Sequence, residues 1–406
     1  MHFSLASLSA AAMLLATFAT AKRPTHAGKA VTRRRDNTFA ATSATLQSRG
    51  SGHRPAHAKR KKKRSSSLSP QKPRTPRRAP SSHTASIPKK KKKKKSCRRR
   101  SAAVANPKSS SAYSLVQHSA GGYNFFDNWD FFTHTDPTHG AVSYVDGDTA
   151  WKNGLVYVPG GAQNSTVLRV DSWSNLTYGE NRQSVRITSK EKVKFGSMVV
   201  IDLERIPYGP TVWPALWTVG DNWPLGGEID IVEGVHDSKQ NQMTLHTAPG
   251  CMLASPLQAV GSVLTTNCDA YVASNTGCGI QDPSTSSFGS AFNAQGGGIY
   301  VMNWDEEGIA VYFFPRGSIP SDLTSESPDP SSWGPPRARW DASTCSPSQF
   351  FGDQTIVINI TIGGDWAGST YNAAGYAGDW RAAVMNPANY AGAAFEVNYV
   401  KVFKKQ

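Results

Sequence analysis

The amino-acid sequence predicts an all-β protein: one large sandwich of two antiparallel sheets, preceded by a long basic segment without a core. Three observations lead there. From Tyr113 onward, apolar and polar residues alternate at period two, the spacing of half-buried strands. No segment sustains the i, i+3, i+4, i+7 apolar pattern through three helical turns. The composition also breaks near residue 110, where a Lys, Arg, Pro and Ser tract gives way to short strands separated by Gly, Pro, Asn and Asp.

Residues 3–21 are small and apolar, and Ala19-Thr20-Ala21 has the small-x-small form of a signal-peptidase site. Residues 1–21 therefore read as a secretory signal. This run is too short and too rich in Ala and Ser for a strong membrane span, and no other apolar run approaches the ~20 residues needed to cross a bilayer. The C-terminal Val402-Phe403-Lys404-Lys405-Gln406 ends in charge, against a cleaved lipid-anchor tail. A secreted protein without a membrane anchor is expected, with association to the cell wall as a further expectation.

Residues 22–110 hold 29 of the 45 Lys and Arg against one acid, Asp36, including basic runs at 59–64, 89–95 and 98–100. The net charge of +16 is thus the sum of a segment near +28 and a remainder near −12. Pro, Ser and like charges offer too little apolar surface to offset chain entropy, so this segment is expected to be disordered. Its lysines suit anionic polymers, nucleic acid among them. It has a single aromatic residue, Phe39, so stacking on bases is not available. An extracellular polyanion, or removal at the dibasic pairs Lys22-Arg23, Lys63-Arg64 and Arg77-Arg78, fits better behind a secretory signal.

Residues 111–406 form the predicted sandwich. Ile356, Ile358, Ile360 and Ile362 place one strand face in the core and leave the other mostly polar, with Asn359 expected to point outward. Val185 and Ile187 alternate with Arg186 and Thr188. Ile299, Val301, Ile309 and Val311 flank a hairpin turn at Asp305-Glu306-Glu307-Gly308. The Pro-rich stretch 315–336 is expected to be an ordered surface loop. Four cysteines, Cys251, Cys268, Cys278 and Cys345, suggest two disulfides in a secreted domain, and three pairings are open. Short separation favours Cys268 with Cys278, leaving Cys251 with Cys345. None of the spacings resembles a zinc site, and no metal or cofactor is expected. Sequons at Asn164, Asn175 and Asn359 are glycosylation candidates.

The segment from Trp213 to Gly234 carries the chemistry. In Glu228-Ile229-Asp230-Ile231-Val232-Glu233 the first two acids share a strand face, whereas Glu233 has the wrong parity to join them. A β-bulge around Ile231 and Val232 would turn it back onto that face. Three acids together repel one another, which is poor for stability but suits glycoside hydrolysis: one carboxylate as nucleophile, one carboxylic acid as proton donor. Asp230, between them, is placed to position the nucleophile. A calcium site or an acidic strand edge is the alternative from these residues alone.

Here the sequence resembles the fungal laminarinase-type members of glycoside hydrolase family 16. Gly-Gly-Glu-Ile-Asp-Ile-Val-Glu-Gly is similar to the family's bulged active-site strand, unlike the strict lichenases, whose motif lacks the additional residue. Phe125-Phe126-Asp127, Asp136-Pro137-Thr138-His139-Gly140, Leu245-His246-Thr247, Phe313-Phe314-Pro315-Arg316 and Gly364-Asp365-Trp366-Ala367-Gly368 resemble family segments too, so the likeness runs over residues 113–403. It implies a concanavalin-type jelly roll and endo-hydrolysis of β-1,3- or mixed β-1,3/1,4-glucan. It also implies Glu228 as nucleophile, Asp230 as its assistant and Glu233 as acid/base. One departure is that related fungal sequences often carry Cys where this chain has Gly363, and more Cys downstream, which leaves the C-terminal disulfide arrangement in doubt.

Eleven Trp are available to stack on sugar rings, and Trp217, Trp223 and Trp366 sit in family-like segments. His246 resembles a family His near the cleavage point; a satisfied structural strand His is its other reading. The leading expectation is a monomeric endo-β-1,3(4)-glucanase acting on β-glucan. The rivals are a wall-remodelling transglycosylase on the same fold, a non-catalytic lectin-like binder, and a polyanion-binding protein led by the tail.

Overall fold

The computed structural model describes residues 112–161 and 164–406. The expected signal segment and the basic segment lie outside the described residues. Two eight-stranded antiparallel sheets face each other. In the first, neighbours run Ser262–Val263, Cys278–Gln281, Gln242–His246, Glu228–Glu233, Val212–Gly220, Gln354–Ile362, Arg186–Ser189 and Trp129–Phe131. In the second, Ala338–Asp341, Gly308–Pro315, Gly298–Asp305, Ser197–Arg205, Ala394–Lys405, Thr166–Arg169 and Val156–Tyr157 follow in order, and Tyr113–Ala120 pairs with Ala394–Lys405. A small parallel pair, Val142–Tyr144 with Arg182–Ser184, stands beside them.

Period-two alternation accounts for the packing. Val185, Ile187, Leu216, Ile229, Leu245, Ile356, Ile358, Ile360 and Ile362 all enter the core between the sheets, where Val199, Ile201, Leu203, Met302 and Val311 meet them. The alternate residues of these strands, among them Arg186, Ala215, Trp217, Glu228, Asp230 and Asn359, face the other way, toward a cleft. The hairpin at Asp305–Gly308 forms as expected, closed by the pairing of those two residues. The Pro-rich stretch between Gly308–Pro315 and Ala338–Asp341 is ordered. It folds into the short turns Arg316–Ser318, Ser321–Thr324 and Pro330–Ser332 and lays Leu323, Ile319 and Trp333 over a second apolar cluster on the outer sheet.

Disulfides join Cys251 to Cys345 and Cys268 to Cys278. The place where Cys was expected by resemblance is filled differently. Gly363 has φ +69°, and a Cβ there would lie 1.9 Å from the Trp380 ring. Ring packing on glycine holds this corner of the chain. Asn359 corrects the sequence reading. It is 7% exposed, and its side chain accepts from Trp217 Nε1 at 2.7 Å and donates to Thr361 Oγ1 at 3.1 Å, so this sequon offers no accessible amide. Alternation placed it correctly opposite the Ile face; that polar face is the cleft floor, not open surface. Asn164 and Asn175 are exposed. Among the described residues no helix is long and apolar enough to cross a membrane.

Candidate active site

The cleft is built on the strand Glu228–Glu233. Against Val212–Gly220 its register shifts between Asp230 and Val232, leaving Ile231 as the extra residue, and against Gln242–His246 it shifts between Asp230 and Glu233. Ile231 and Val232 are both buried in the core, while Glu228, Asp230 and Glu233 line one cavity of about 400 Å³. Asn241 clamps the bulge. Fully buried, it donates from Nδ2 to the Ile231 carbonyl and accepts the Glu233 N–H at Oδ1, both at 2.9 Å. These are backbone groups that the interrupted ladder would leave unpaired. Entry to the strand depends on Gly227: with φ +72°, it brings the chain so close to Phe351 that a Cβ would lie 2.3 Å from the ring.

Indole N–H groups address the two glutamates. Trp223 Nε1 donates to Glu228 at 2.5 Å, and Trp213 Nε1 donates to Glu233 at 2.9 Å. Asp230 is 2% exposed and lies 3.4 Å from His246 Nε2, while His246 Nδ1 contacts Asn275 Oδ1 at 2.8 Å. Burial first, and the charge of Asp230 second, push both glutamates well above the usual carboxyl range. For His246 burial works against the charged form. The hydrogen bond to Asp230 and the charges of Glu228, Asp230 and Glu233 outweigh it and hold the imidazole up to about 10. These neighbours favour the imidazolium, which pairs with Asp230 across 3.4 Å. Ligand atoms of Glu228, Asp230 and His246 lie within 4.8 Å of one another, the arrangement of a small ion site.

Of the residues singled out from sequence for substrate, Trp217 and Trp223 line the cleft. His246 stands beneath Asp230, and Trp366 packs edge-on against Trp213 with ring centroids 5.7 Å apart. Trp217 is pinned by Asn359 and by the Arg186 guanidinium, 5.2 Å from its ring centroid. Sequence reasoning missed Trp213, Arg186, Asn241 and Asn275 as parts of the site. Trp213 could have been found, because it shares strand parity with Trp217. Asn241, just before the strand Gln242–His246, and Asn275, in a short turn, have spatial neighbours that no local pattern reports.

A model of the XgeA-like catalytic domain of glycoside hydrolase family 16 matches residues 129–403. The chain belongs to glycoside hydrolase family 16. A probable glycosidase of Schizosaccharomyces pombe is 44% identical over 270 residues, covering 66% of this chain and 63% of its own length. An endo-1,3(4)-beta-glucanase of Arthroderma benhamiae is 36% identical over 305 residues, covering 73% and 66% respectively. The chain thus spans under two thirds of the length of these curated relatives. Among solved structures, Laminarinase 16A of Phanerochaete chrysosporium, with β-glucans in donor and acceptor sites, matches with a TM-score of 0.69 and 37% identity. That likeness covers 72% of this chain and 99% of the laminarinase. An elongating family 16 β-1,3-glucosyltransferase matches with a TM-score of 0.67 and 37% identity, over 72% of this chain and all of its own. The two packed sheets are the family 16 jelly-roll sandwich.

Proposed function

We propose that this family 16 chain is a secreted endo-glucanase that hydrolyses β-1,3- and mixed β-1,3/1,4-glucans with retention of configuration. The observation that carries the reading is the bulge, which turns Glu233 onto the face of Glu228 and Asp230 in an indole-lined cleft. Glu228 attacks the anomeric carbon while Glu233 protonates the departing glycosidic oxygen. Water, deprotonated by Glu233, then releases the covalent glycosyl-enzyme. The division of roles follows the local field. His246 sits in the same small cluster as Glu228 and Asp230, so a charge on it favours the ionised form of Glu228 more than that of Glu233, which is outside the cluster. Asp230, held by His246, positions Glu228.

Reducing-end release from laminarin, lichenan and xylan side by side tests the substrate class, with turnover of the first two expected. Glu228→Gln should abolish turnover while the protein stays folded and binds glucan; substantial residual hydrolysis would overturn the nucleophile assignment. Glu233→Ala should spare substrates with very good leaving groups.

The second reading is glycosyl transfer, in which a sugar hydroxyl replaces water. Equal identity to an elongating β-1,3-glucosyltransferase favours it. Redistribution of oligosaccharide chain lengths, without net gain of reducing ends, would identify it. For the basic segment we propose electrostatic affinity for anionic wall polymers. The intact chain should bind them more tightly than one starting at Ser111, and the difference should fade as salt rises.

A further inference from the structure

Only two of the eleven Trp are exposed. Trp223, 45% exposed, serves the cleft. Trp173, also 45% exposed, does not: it borders a separate open cavity of about 550 Å³ beside the strand Arg182–Ser184 of the small parallel pair. An exposed indole beside a cavity offers a flat apolar plane to a ligand.

The indole is rigidly mounted. The Arg169 guanidinium lies between two rings, 4.8 Å from the Trp173 centroid and 4.9 Å from that of Tyr157, and its Nε donates to the Gly154 carbonyl at 2.8 Å. Asp171, 4% exposed, accepts the backbone N–H groups of Trp173 and Ser174 at 3.0 Å each and lies 3.7 Å from the buried Arg182. Around the ring stand hydrogen-bonding groups, the amides of Asn153, Asn181 and Gln183 together with the carboxylates of Asp171 and Glu180. Asn153 Nδ2 donates to Gln183 Oε1 at 2.9 Å, which leaves Asn153 Oδ1 and Gln183 Nε2 to face a ligand. Asn181 borders the cavity from the same strand region. A fixed aromatic plane ringed by hydrogen-bonding groups matches a pyranose, which offers an apolar C–H face and a rim of hydroxyls.

We infer that this cavity is a second saccharide-binding site, for a segment of β-glucan outside the cleft; the inference rests on the glucan reading above. Its position suits the same polymer. Gln183 lines this cavity and Arg186 lines the cleft, three residues apart on one extended run, a span of at most about 10 Å. The site would hold an insoluble polymer against the enzyme and would do little for a short oligosaccharide.

The test is depletion of the intact chain onto insoluble β-1,3-glucan particles, at about 0.5 M NaCl to screen the basic segment. Trp173→Ala should lower affinity about fivefold, and the ratio of hydrolysis on particles to hydrolysis on laminaritetraose should fall with it. Gln183→Ala, a smaller change, should lower affinity about two- to threefold and stands in if Trp173→Ala misfolds. Wild-type affinity in both variants, in a chain that still cuts laminarin, overturns the second site alone. A chain that neither binds nor cuts β-1,3-glucan overturns the parent reading. Asn175 lies two residues from Trp173, so glycosylated and glycan-free chains are compared. If Trp173→Ala leaves glucan binding intact and lowers only the melting temperature of the glycosylated chain, the indole seats the protein's own glycan and the inference fails.

Discussion

Asn241→Ala should separate the bulge from the acids it carries. The side chain is fully buried and makes two 2.9 Å hydrogen bonds to bulge backbone, one to the Ile231 carbonyl and one from the Glu233 N–H. Such a bond contributes about 0.5–1.5 kcal/mol net, but a buried backbone group left without a partner costs about 1–3 kcal/mol instead, and here two are left. The substitution should therefore destabilise by about 3–5 kcal/mol, some 6–20 °C in melting temperature for a domain of this size. The functional effect should exceed the stability effect. With the clamp gone, Glu233 loses its register, and a displacement of about 1 Å at a reacting group costs on the order of 10²-fold in kcat.

Asn241→Asp sharpens the test. It keeps an acceptor for the Glu233 N–H but turns the donor toward Ile231 into a second oxygen, so it should fall between wild type and Asn241→Ala in stability at low pH and lose ground as the new carboxyl ionises. The assays are chemical denaturation with a constant m-value, and kcat on laminarin measured well below the transition. If Asn241→Ala melts several degrees lower yet keeps kcat within twofold, the bulge holds its shape without the clamp and the account of how Glu233 is positioned is wrong.

Other outcomes follow from the same structure. Early-time NMR of laminarin products should show the β-anomer first, since a covalent glycosyl-enzyme requires two inversions; the α-anomer first would exclude the mechanism. Glu233→Gln should raise the melting temperature. The folded pKa of Glu233 is raised from 4.5 to about 8, so the wild type loses stability as pH rises from 4.5 through 8. Gln has no such loss, and its advantage should be absent near pH 4, grow across that window and then level off; a constant advantage would contradict the burial of a protonated carboxyl. Gly363→Ala combines left-handed backbone with a Cβ driven into Trp380, and should destabilise by about 2–4 kcal/mol in thermal unfolding. Gly363→Ala in a Trp380→Ala background should be much milder if the ring contact is the cause.

Legibility of the sequence followed the range of the interaction. Alternation over two residues assigned the core faces of Val185, Ile187 and the Ile356 to Ile362 series, and parity alone required a bulge between Asp230 and Glu233. Which sheet face became the cleft was beyond local pattern. The same alternation that placed Asn359 opposite the isoleucines could not say whether that side met solvent or a wall of Trp217, Tyr144 and Thr361. Partners far apart in the chain were silent for the same reason. Asn275 meets His246 across 29 residues, in a turn whose three successive residues Ala273, Ser274 and Asn275 all have positive φ. Asn tolerates that conformation and the other two do so at a cost, which no pattern at the level of sequence announces.

The site also shows why three acids on one strand are tolerated. Their repulsion is opposed from four directions: Trp223 and Trp213 each give an N–H to one glutamate, His246 lies 3.4 Å from Asp230 where its protonated form is favoured, and Asn241 fixes the backbone that carries Glu233. None of these relieves the burial that raises both glutamates, and on the proposed mechanism relief would cost Glu233 its role as proton donor, because a solvated Glu233 would lose its proton well below neutral pH. The opposition therefore stops short of neutralising the cluster. What remains uncompensated is supported by the opposite face of the same strand, where Ile229, Ile231 and Val232 are wholly buried against the second sheet. The bulge spends an extra residue to keep Glu233 in the cleft, and because Ile231 and Val232 both turn inward, it does so without removing an apolar side chain from the core that holds the cleft in place.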